Sequence, residues 1–199
     1  HHYRYRPDRS TFLVEVEPST WQRAGFDAMS PDDTIRHCER VFAKDLDGHR
    51  ILSNNSQWRR FPAIWNERWS FDNVVLLGDA LRTAHFSIGS GTRLAMEDSI
   101  ALYKAFRDAG TKDVPAALAL FQERRMPPMR KIWDAANASL RWYEDMDRLV
   151  RTLGPVEFAY SYMTRTGRVD HAEVTRRDPK LAAAYEALHP DVRAQGGRS

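Results

Sequence analysis

The chain of 199 residues has one cysteine, no long apolar run and no secretory signal pattern. A single cysteine excludes an internal disulfide and suits a reducing compartment, so we expect a cytoplasmic protein with Cys38 as a buried thiol. No segment approaches the ~20 apolar residues that cross a bilayer, so no membrane partner is predicted. The net charge is only +3, with scattered arginines, which argues against a nucleic-acid partner.

Residues 73–106 combine the features of a ligand site. Asn73–Leu77 is short, apolar and β-branched, as is typical of a buried strand. Gly78 and Asp79 follow and put a carboxylate at the strand's carboxyl end, where ligands of open α/β sheets bind. The glycines at 89–92 then open a helical pattern, and such a start exposes backbone N–H groups to an electron-rich ligand. This order predicts half of a nucleotide or flavin site.

Residues 78–98, GDALRTAHFSIGSGTRLAMED, resemble the second flavin-binding motif of class A flavoprotein monooxygenases. The HFSIGSGT and LAMED segments are similar to the branch acting on aromatic acyl-CoA thioesters, the salicylyl-CoA 5-hydroxylases and anthraniloyl-CoA monooxygenases. The monooxygenases of violacein synthesis carry a similar HFSIG stretch. Arg82, Phe86 and Arg93 stand where many class A enzymes have His, Pro and Asn, which fits the acyl-CoA branch.

The resemblance implies roles for individual residues. Asp79 would hydrogen-bond the ribityl chain of FAD, and the glycine-loop amides would face the pyrimidine edge of the isoalloxazine. Arg82 would pair with a phosphate, a carboxylate or Asp79. His85 is the candidate catalytic residue, although packing explains a lone histidine equally well. The implied cofactor-binding residues are Gly78, Asp79, Arg82, Gly89, Ser90, Gly91 and Thr92, and the implied substrate-binding residues are Phe86, Ile88 and Tyr5.

The implied reaction is hydroxylation of an aromatic acyl-CoA thioester through a flavin C4a-hydroperoxide. FAD would be the cofactor, NADH or NADPH the reductant and O2 the co-substrate. The difficult chemistry belongs to such a cofactor, while the protein orients it and excludes water. The sequence predicts no catalytic triad and no metal site, because no suitable cluster of side chains occurs. Glu97 and Asp98 are expected on a solvated or helix-packing side instead.

The fingerprint G-x-G-x-x-G is absent. A class A monooxygenase needs it, in an N-terminal βαβ unit, to hold the ADP half of FAD. We therefore interpret the chain as the C-terminal portion of a longer enzyme, incomplete without its N-terminal FAD-binding segment. Two alternatives stay open: a monooxygenase of the same fold acting on an indole, phenol or polyketide, and a flavin-free binding or interaction module.

The predicted fold class is α+β, the C-terminal part of an α/β FAD-binding fold of the p-hydroxybenzoate hydroxylase type. Residues 1–69 would end a substrate-covering sheet and contribute one helix, with strands at Thr11–Val16 and across 54–69. Residues 70–110 would be the C-terminal half of the FAD-binding domain. Residues 111–190 would form a helical region suited to scaffolding or to a homodimer interface, and 191–199 a flexible tail.

Capping residues predict where the helices begin and end. Pro127-Pro128 is expected to break or kink a helix, with a further helical run to about Arg151. The predicted helix starts are Ser30-Pro31, Val114-Pro115, Gly154-Pro155 and Asp178-Pro179, and the predicted ends are Asp47-Gly48 and Asp108-Ala109-Gly110.

Overall fold

The computed structural model describes residues 1–89 and 91–192. They form two compact units, His1–Arg60 and the chain from Phe61 onward. The described residues are mostly helical, with two small antiparallel sheets of two strands each. This composition is compatible with the C-terminal part of a flavin monooxygenase. Within the described ranges no helix has the length and apolar character needed to span a membrane.

The first unit is a hairpin followed by three helices. The hairpin pairs His2 with Phe12 and Tyr3 with Thr11. Its elements are β1 (His2–Arg6), β2 (Arg9–Phe12), α1 (Pro18–Ala24), α2 (Pro31–Val41) and α3 (Ala43–Leu46).

The predicted helix start at Ser30-Pro31 is confirmed, together with its capping. The expectation of one helix is wrong: α1 was not predicted, and the run to Asp47-Gly48 divides at Phe42 into α2 and α3. The Ser30 hydroxyl accepts a hydrogen bond from the Asp33 N–H at 3.1 Å, and Pro31 is the first residue of α2. After α3 the chain leaves the helical conformation at Asp47, whose φ is +46°. Cys38 is buried as expected, and this burial raises the pKa of its thiol.

Both strands predicted within residues 1–69 need correction. β2 covers Arg9–Phe12 rather than Thr11–Val16, because the turn after Arg6 pairs Phe12 with the first residue of β1. Across described residues 54–69 there is no strand, only a single bridge between Trp65 and Arg82. Pro62 has no N–H to extend that pairing. The Ile64 N–H donates instead to the side chain of Thr83 at 2.8 Å.

The second unit begins with a short hairpin and continues as helices. α5 and α6 pack against each other over much of their length and form its centre. The elements are β3 (Ser70–Phe71), β4 (Val74–Val75), α4 (Gly78–Leu81), a 3₁₀ turn (Phe86–Ile88), α5 (Gly91–Ala109), α6 (Val114–Glu144), α7 (Met146–Thr152), α8 (Pro155–Thr164), α9 (His171–Arg177) and α10 (Pro179–Leu188).

The predicted strand Asn73–Leu77 is shorter than expected and only partly buried. β4 is limited to Val74–Val75 and pairs with β3 through a turn at Asp72, whose φ is +52°. Val74 is 59% exposed, because β3 is the only strand beside it in the described residues. One further hydrogen bond, from the Leu76 N–H to the Trp69 carbonyl at 2.9 Å, extends the pairing.

The core of this unit joins the strand region to α4, α5 and α6. Six buried residues form it, and half-buried residues such as Ile132 pack around them. The six are Trp69, Leu81, Leu94, Ala105, Phe121 and Met129.

Of the break or kink predicted at Pro127-Pro128, the break is wrong, since α6 continues through both prolines. Each proline removes one hydrogen bond of the helix. Phe121 and Met129, on either side of them, are 1% and 0% exposed in the same core, so tertiary packing supports the helix on both sides of the prolines. The run predicted to about Arg151 divides instead at Asp145, between α6 and α7.

The other predicted starts and ends in this unit are confirmed. α5 ends at Gly110, α6 starts with Pro115 in its first turn, and Pro155 and Pro179 begin α8 and α10. α9 was not predicted. Its sequence signal is the Asp170 side chain, which accepts a hydrogen bond from the Glu173 N–H at 2.8 Å. Of the predicted tail 191–199, all but the first two residues lie outside the described ranges.

Candidate functional site

The turn at Gly78 and Asp79 leads from β4 into α4. Gly78 has a φ of +58°, which glycine adopts without steric cost. A Cβ atom on Gly78 would lie 3.2 Å from the Cβ of Ala95, so α5 also leaves no room for a side chain here. Conformation and packing therefore both require glycine at this position.

Asp79 is exposed at the start of α4. The described residues include no hydrogen-bond or ion-pair partner for its carboxylate. A carboxylate of this kind can accept hydrogen bonds from the hydroxyl groups of a ligand.

The side chain of Arg82 is buried and meets Asp98 rather than Asp79. Its Nη2 atom lies 2.9 Å from Oδ2 of Asp98, and the two side chains are 3% and 0% exposed. Its Nη1 atom donates to the carbonyl oxygen of Gly78 at 3.0 Å. Burial lowers the pKa of Arg82, while the Asp98 charge opposes that shift. From the sequence, Arg82 is expected to pair with a phosphate, a carboxylate or Asp79. In the structure it pairs with the carboxylate of Asp98.

Asp98 also binds groups from two other elements. Its Oδ2 atom accepts a hydrogen bond from the Gly78 N–H at 3.2 Å, and its Oδ1 atom accepts one from Nε of Arg125 at 2.9 Å. The expectation that Asp98 lies on a helix-packing side is confirmed. Arg125 was missed, because it is one of two adjacent arginines in α6 and its sequence gives no sign of which one is half-buried.

The second glycine segment opens the 19-residue helix α5. Gly89 has a φ of +60°, and a Cβ atom on either Gly89 or Gly91 would meet nothing within 4 Å. Gly91 and Thr92 are exposed in the first turn of α5, and Ser90 lies outside the described residues. Backbone N–H groups at a helix start have no partners within the helix, and the helix dipole adds a partial positive charge there. This end can therefore bind an electron-rich ligand edge.

The three predicted site residues between the two glycine segments are half-buried. The rings of His85 and Phe86 stack with centroids 4.5 Å apart, and Phe86 also meets Phe61 edge-on. Nδ1 of His85 lies 2.7 Å from the hydroxyl of Ser87. Ile88 ends the 3₁₀ turn. Apolar surface and one titratable ring thus lie between Asp79 and α5 in the chain.

Tyr5 lies in β1 of the first unit and is 58% exposed. It is therefore not one of the residues that the second unit brings together. Within the described ranges no group of three or more His, Cys, Asp or Glu side chains is arranged to hold a metal ion.

Comparison with known proteins identifies relatives of one kind, although no family model matches the chain. The chain is 41% identical to salicyloyl-CoA 5-hydroxylase of a Streptomyces species, over 83% of the chain and 34% of that protein. It is 36% identical to protodeoxyviolaceinate monooxygenase of Chromobacterium violaceum, over 83% of the chain and 44% of that protein. It is 41% identical to 3-hydroxy-4-methyl-anthranilyl-[aryl-carrier protein] 5-monooxygenase of Streptosporangium sibiricum, over 72% of the chain and 36% of that protein.

These similarities define a class of flavin-dependent oxygenases. The chain belongs to the family of FAD-dependent aromatic monooxygenases, and FAD is the cofactor of that family. It spans between about a third and less than half of the length of the three relatives.

Proposed function

We propose that the protein containing this chain hydroxylates the aromatic ring of an acyl thioester of the salicylyl-CoA or anthraniloyl-CoA type, using NAD(P)H and O2. Two of the relatives are named for thioester substrates, one joined to CoA and the other to an aryl-carrier protein. The two thioester-named relatives are each 41% identical to the chain, and the third is 36% identical. The thioester is the chemical feature that distinguishes this proposal from other aromatic hydroxylations.

The observation that carries the flavin site is the pairing of an exposed carboxylate with an open helix start. Asp79 has no described partner, so its oxygens are available to the ribityl hydroxyls of FAD. Gly91 brings no side chain to the first position of α5, and the space where its Cβ would lie is open to a planar ring. The partial positive charge at that end of α5 suits the acceptor-rich pyrimidine edge of a flavin. The ADP half of FAD would need contacts from residues outside this chain.

The residues between these two points have supporting roles in the proposal. Bound FAD, once reduced by NAD(P)H, supplies the activation of O2. Phe86 and Ile88 are half-buried apolar residues suited to keeping water away from the reacting ring. His85, held against Ser87 and stacked on Phe86, would orient or protonate a polar group of the substrate. The remaining residues need only bind and orient, because the cofactor supplies the difficult chemistry.

The substrate proposal is tested with the protein expressed at its natural full length and purified with its flavin. NAD(P)H oxidation is followed with salicylyl-CoA, anthraniloyl-CoA, free salicylate and an indole, and the aromatic products are analysed by mass spectrometry. We expect a hydroxylated thioester and no stimulation by free salicylate. Stimulation by the indole alone would favour the alternative of a monooxygenase of the same fold that acts on an indole. The similarity to protodeoxyviolaceinate monooxygenase supports that alternative. A protein that binds no FAD would contradict both and favour a binding module.

The assignment of Asp79 is tested with a matched pair of variants. Asp79→Asn removes the charge and part of the acceptor capacity, so we expect weaker FAD binding and little change in folding. Asp72→Asn is the control, because Asp72 is also an exposed carboxylate in a turn, and asparagine tolerates its φ of +52°. Equal FAD dissociation constants for the two variants would contradict the assignment.

A further inference from the structure

Three nitrogen atoms from three segments of the chain converge on the buried carboxylate of Asp98. They are the backbone N of Gly78 at 3.2 Å, Nη2 of Arg82 at 2.9 Å and Nε of Arg125 at 2.9 Å. Asp98 itself lies in the second turn of α5 and is 0% exposed. The carboxylate thus joins the first residue of α4, the residue that follows α4, helix α5 and helix α6.

Both backbone polar groups of Gly78 are held by this cluster. Asp98 accepts from its N–H, and Arg82 donates to its carbonyl oxygen at 3.0 Å. The Cα of Gly78 in turn packs so closely on α5 that a Cβ would lie 3.2 Å from Ala95. Gly78 is therefore fixed by three contacts. Because Asp79 is the next residue in the chain, its backbone position is fixed as well.

Arg125 extends the connection to the first two turns of α5. Its Nη2 atom donates to the side chain of Glu97 at 2.8 Å, and its side chain is 11% exposed. The same atom lies 3.4 Å from the carbonyl oxygen of Leu94. Asp98 consequently holds the turn that carries Asp79, and Arg125 ties that aspartate and the first two turns of α5 to α6.

Stability alone is a weak explanation for such a cluster. Removing charges from water costs free energy, and well-packed apolar side chains often replace a buried ion pair without loss of stability. The Nε and Nη2 atoms of Arg82 are also buried with no hydrogen-bond partner of good geometry among the described residues, so the 2.9 Å contact of Nη2 with Asp98 is an ion pair. Unpaired buried donors are destabilising. What the charges supply, and apolar packing does not, is a directional hold on the backbone of Gly78.

We propose that Asp98 is a positioning residue of the flavin site, which sets the Asp79 carboxylate at a fixed place relative to the N-terminus of α5. Asp98 does not touch the cofactor. It acts through Gly78 and Arg82, and Arg125 holds it in place. This inference rests on the proposed function, because it assumes that Asp79 and the α5 start bind the same FAD molecule.

The test compares Asp98→Asn with Asp108→Asn in the full-length protein. Asp108 is a matched control, because it also links α5 to α6, through Arg124 at 2.6 Å, but lies at the opposite end of α5. FAD dissociation constants are measured by fluorescence quenching on the deflavinated variants, and their folding by circular dichroism. We expect Asp98→Asn to weaken FAD binding about tenfold or more, the size of loss found when residues that support metal ligands are replaced, and Asp108→Asn to leave it nearly unchanged.

The two variants also separate this inference from the proposal on which it rests. If the unaltered protein binds no FAD, the proposed function fails and the inference with it. If that protein binds FAD and Asp98→Asn binds it equally well, only the inference fails, and Asp98 is structural. If Asp98→Asn does not fold, the variant Arg125→Lys provides the test, because lysine keeps the charge but its single nitrogen cannot reproduce all three contacts of Arg125, to Asp98, Glu97 and the Leu94 carbonyl. Weaker FAD binding by folded Arg125→Lys supports the inference, and unchanged binding overturns it.

Discussion

The hydroxyl of Ser139, near the C-terminal end of α6, lies 2.9 Å from the hydroxyl of Ser87 in the 3₁₀ turn. Ser87 in turn contacts Nδ1 of His85, and Nε of Arg165 donates to Ser139 at 3.1 Å. Ser139 is 0% exposed, so this chain of hydrogen bonds is shielded from water at its centre. The helical region predicted as scaffold therefore contacts the loop that carries the candidate catalytic histidine.

Replacing Ser139 by alanine should destabilise the protein more than an ordinary surface change does. The substitution removes a partner from Ser87 and from the guanidinium of Arg165, and both groups are largely withdrawn from water. Loss of such a partner costs about 1–3 kcal/mol of the free energy of unfolding. Urea denaturation of the full-length protein measures this loss.

The control is Ser99→Ala, because Ser99 is exposed on α5 and its hydroxyl only donates to the Ala95 carbonyl at 3.2 Å. We expect that change to stay within about 0.5 kcal/mol of zero. Equal effects of the two substitutions would mean that the Ser87–Ser139 contact contributes nothing to stability.

Replacing Pro128 by alanine should stabilise α6. Pro128 is exposed in the interior of a continuous 31-residue helix, where proline costs about 3 kcal/mol relative to alanine. Alanine restores an N–H donor and removes no buried contact. We expect a higher unfolding midpoint, with a gain of up to about 3 kcal/mol before the greater freedom of the unfolded chain is subtracted.

Pro115→Ala is the matched control for that substitution. Pro115 lies in the first turn of α6, where a missing N–H removes no helical hydrogen bond. We expect no gain from this change, since proline suits that position. A gain at Pro115 equal to that at Pro128 would show that the interior prolines are not a local weakness of α6.

The sequence predicted what depends on neighbouring residues. Ser30 and Asp178 cap the helices that they were expected to cap, because a capping hydrogen bond spans only three residues. The glycines and the carboxylate of the central motif were likewise recognised as a local pattern. The continuity of α6 across Pro127-Pro128 was not recognised, because the packing that supports the helix there comes from other elements of the unit.

The supporting contacts of the candidate site were out of reach for the same reason. Asp98 is twenty residues from Gly78 and twenty-seven from Arg125, and Ser139 is fifty-two from Ser87. A single sequence gives no sign that such distant residues meet. From the sequence, Asp98 could be placed only on a solvated or helix-packing side of its helix.

The stability of α9 should fall in acid. Hydrogen bonds from Arg176 and then Arg177 lower the pKa of Glu173 from 4.5 to about 2. A carboxylate with a lowered pKa contributes stability above its unfolded value. We therefore expect that contribution to be complete above pH 4.5 and to be lost as the pH falls towards about 2.

The measurement is an NMR titration of the Glu173 carboxyl carbon, with amide exchange of α9 followed in parallel. In the Arg176→Gln, Arg177→Gln double variant the carboxyl pKa should rise towards 4.5, since both donors are lost. Above pH 4.5 the amides of α9 should then exchange faster in the variant than in the unaltered protein, and this difference should shrink as the pH falls towards about 2. Identical titration curves would contradict the lowered pKa.

Replacing Gly91 by alanine should raise stability and weaken FAD binding in the same protein. Alanine is better than glycine in a helix by up to about 1 kcal/mol, and its Cβ meets nothing within 4 Å of Gly91. That open space is where the proposed flavin edge approaches α5, so the added methyl group should obstruct it. Thermal unfolding without FAD and the FAD dissociation constant are measured side by side.

Gly89→Ala is the comparison variant for Gly91→Ala, which is expected to raise stability while weakening FAD binding. Gly89 has a φ of +60°, where alanine is strained by about 1–2 kcal/mol although its Cβ would also meet nothing within 4 Å. Here we expect lower stability, so weaker FAD binding follows from the backbone as well as from obstruction. At Gly91 no backbone strain is expected, so weaker FAD binding could arise only because the added methyl group blocks the flavin. If the Gly91→Ala protein is more stable and binds FAD with undiminished affinity, the proposal that the flavin lies at the start of α5 is contradicted.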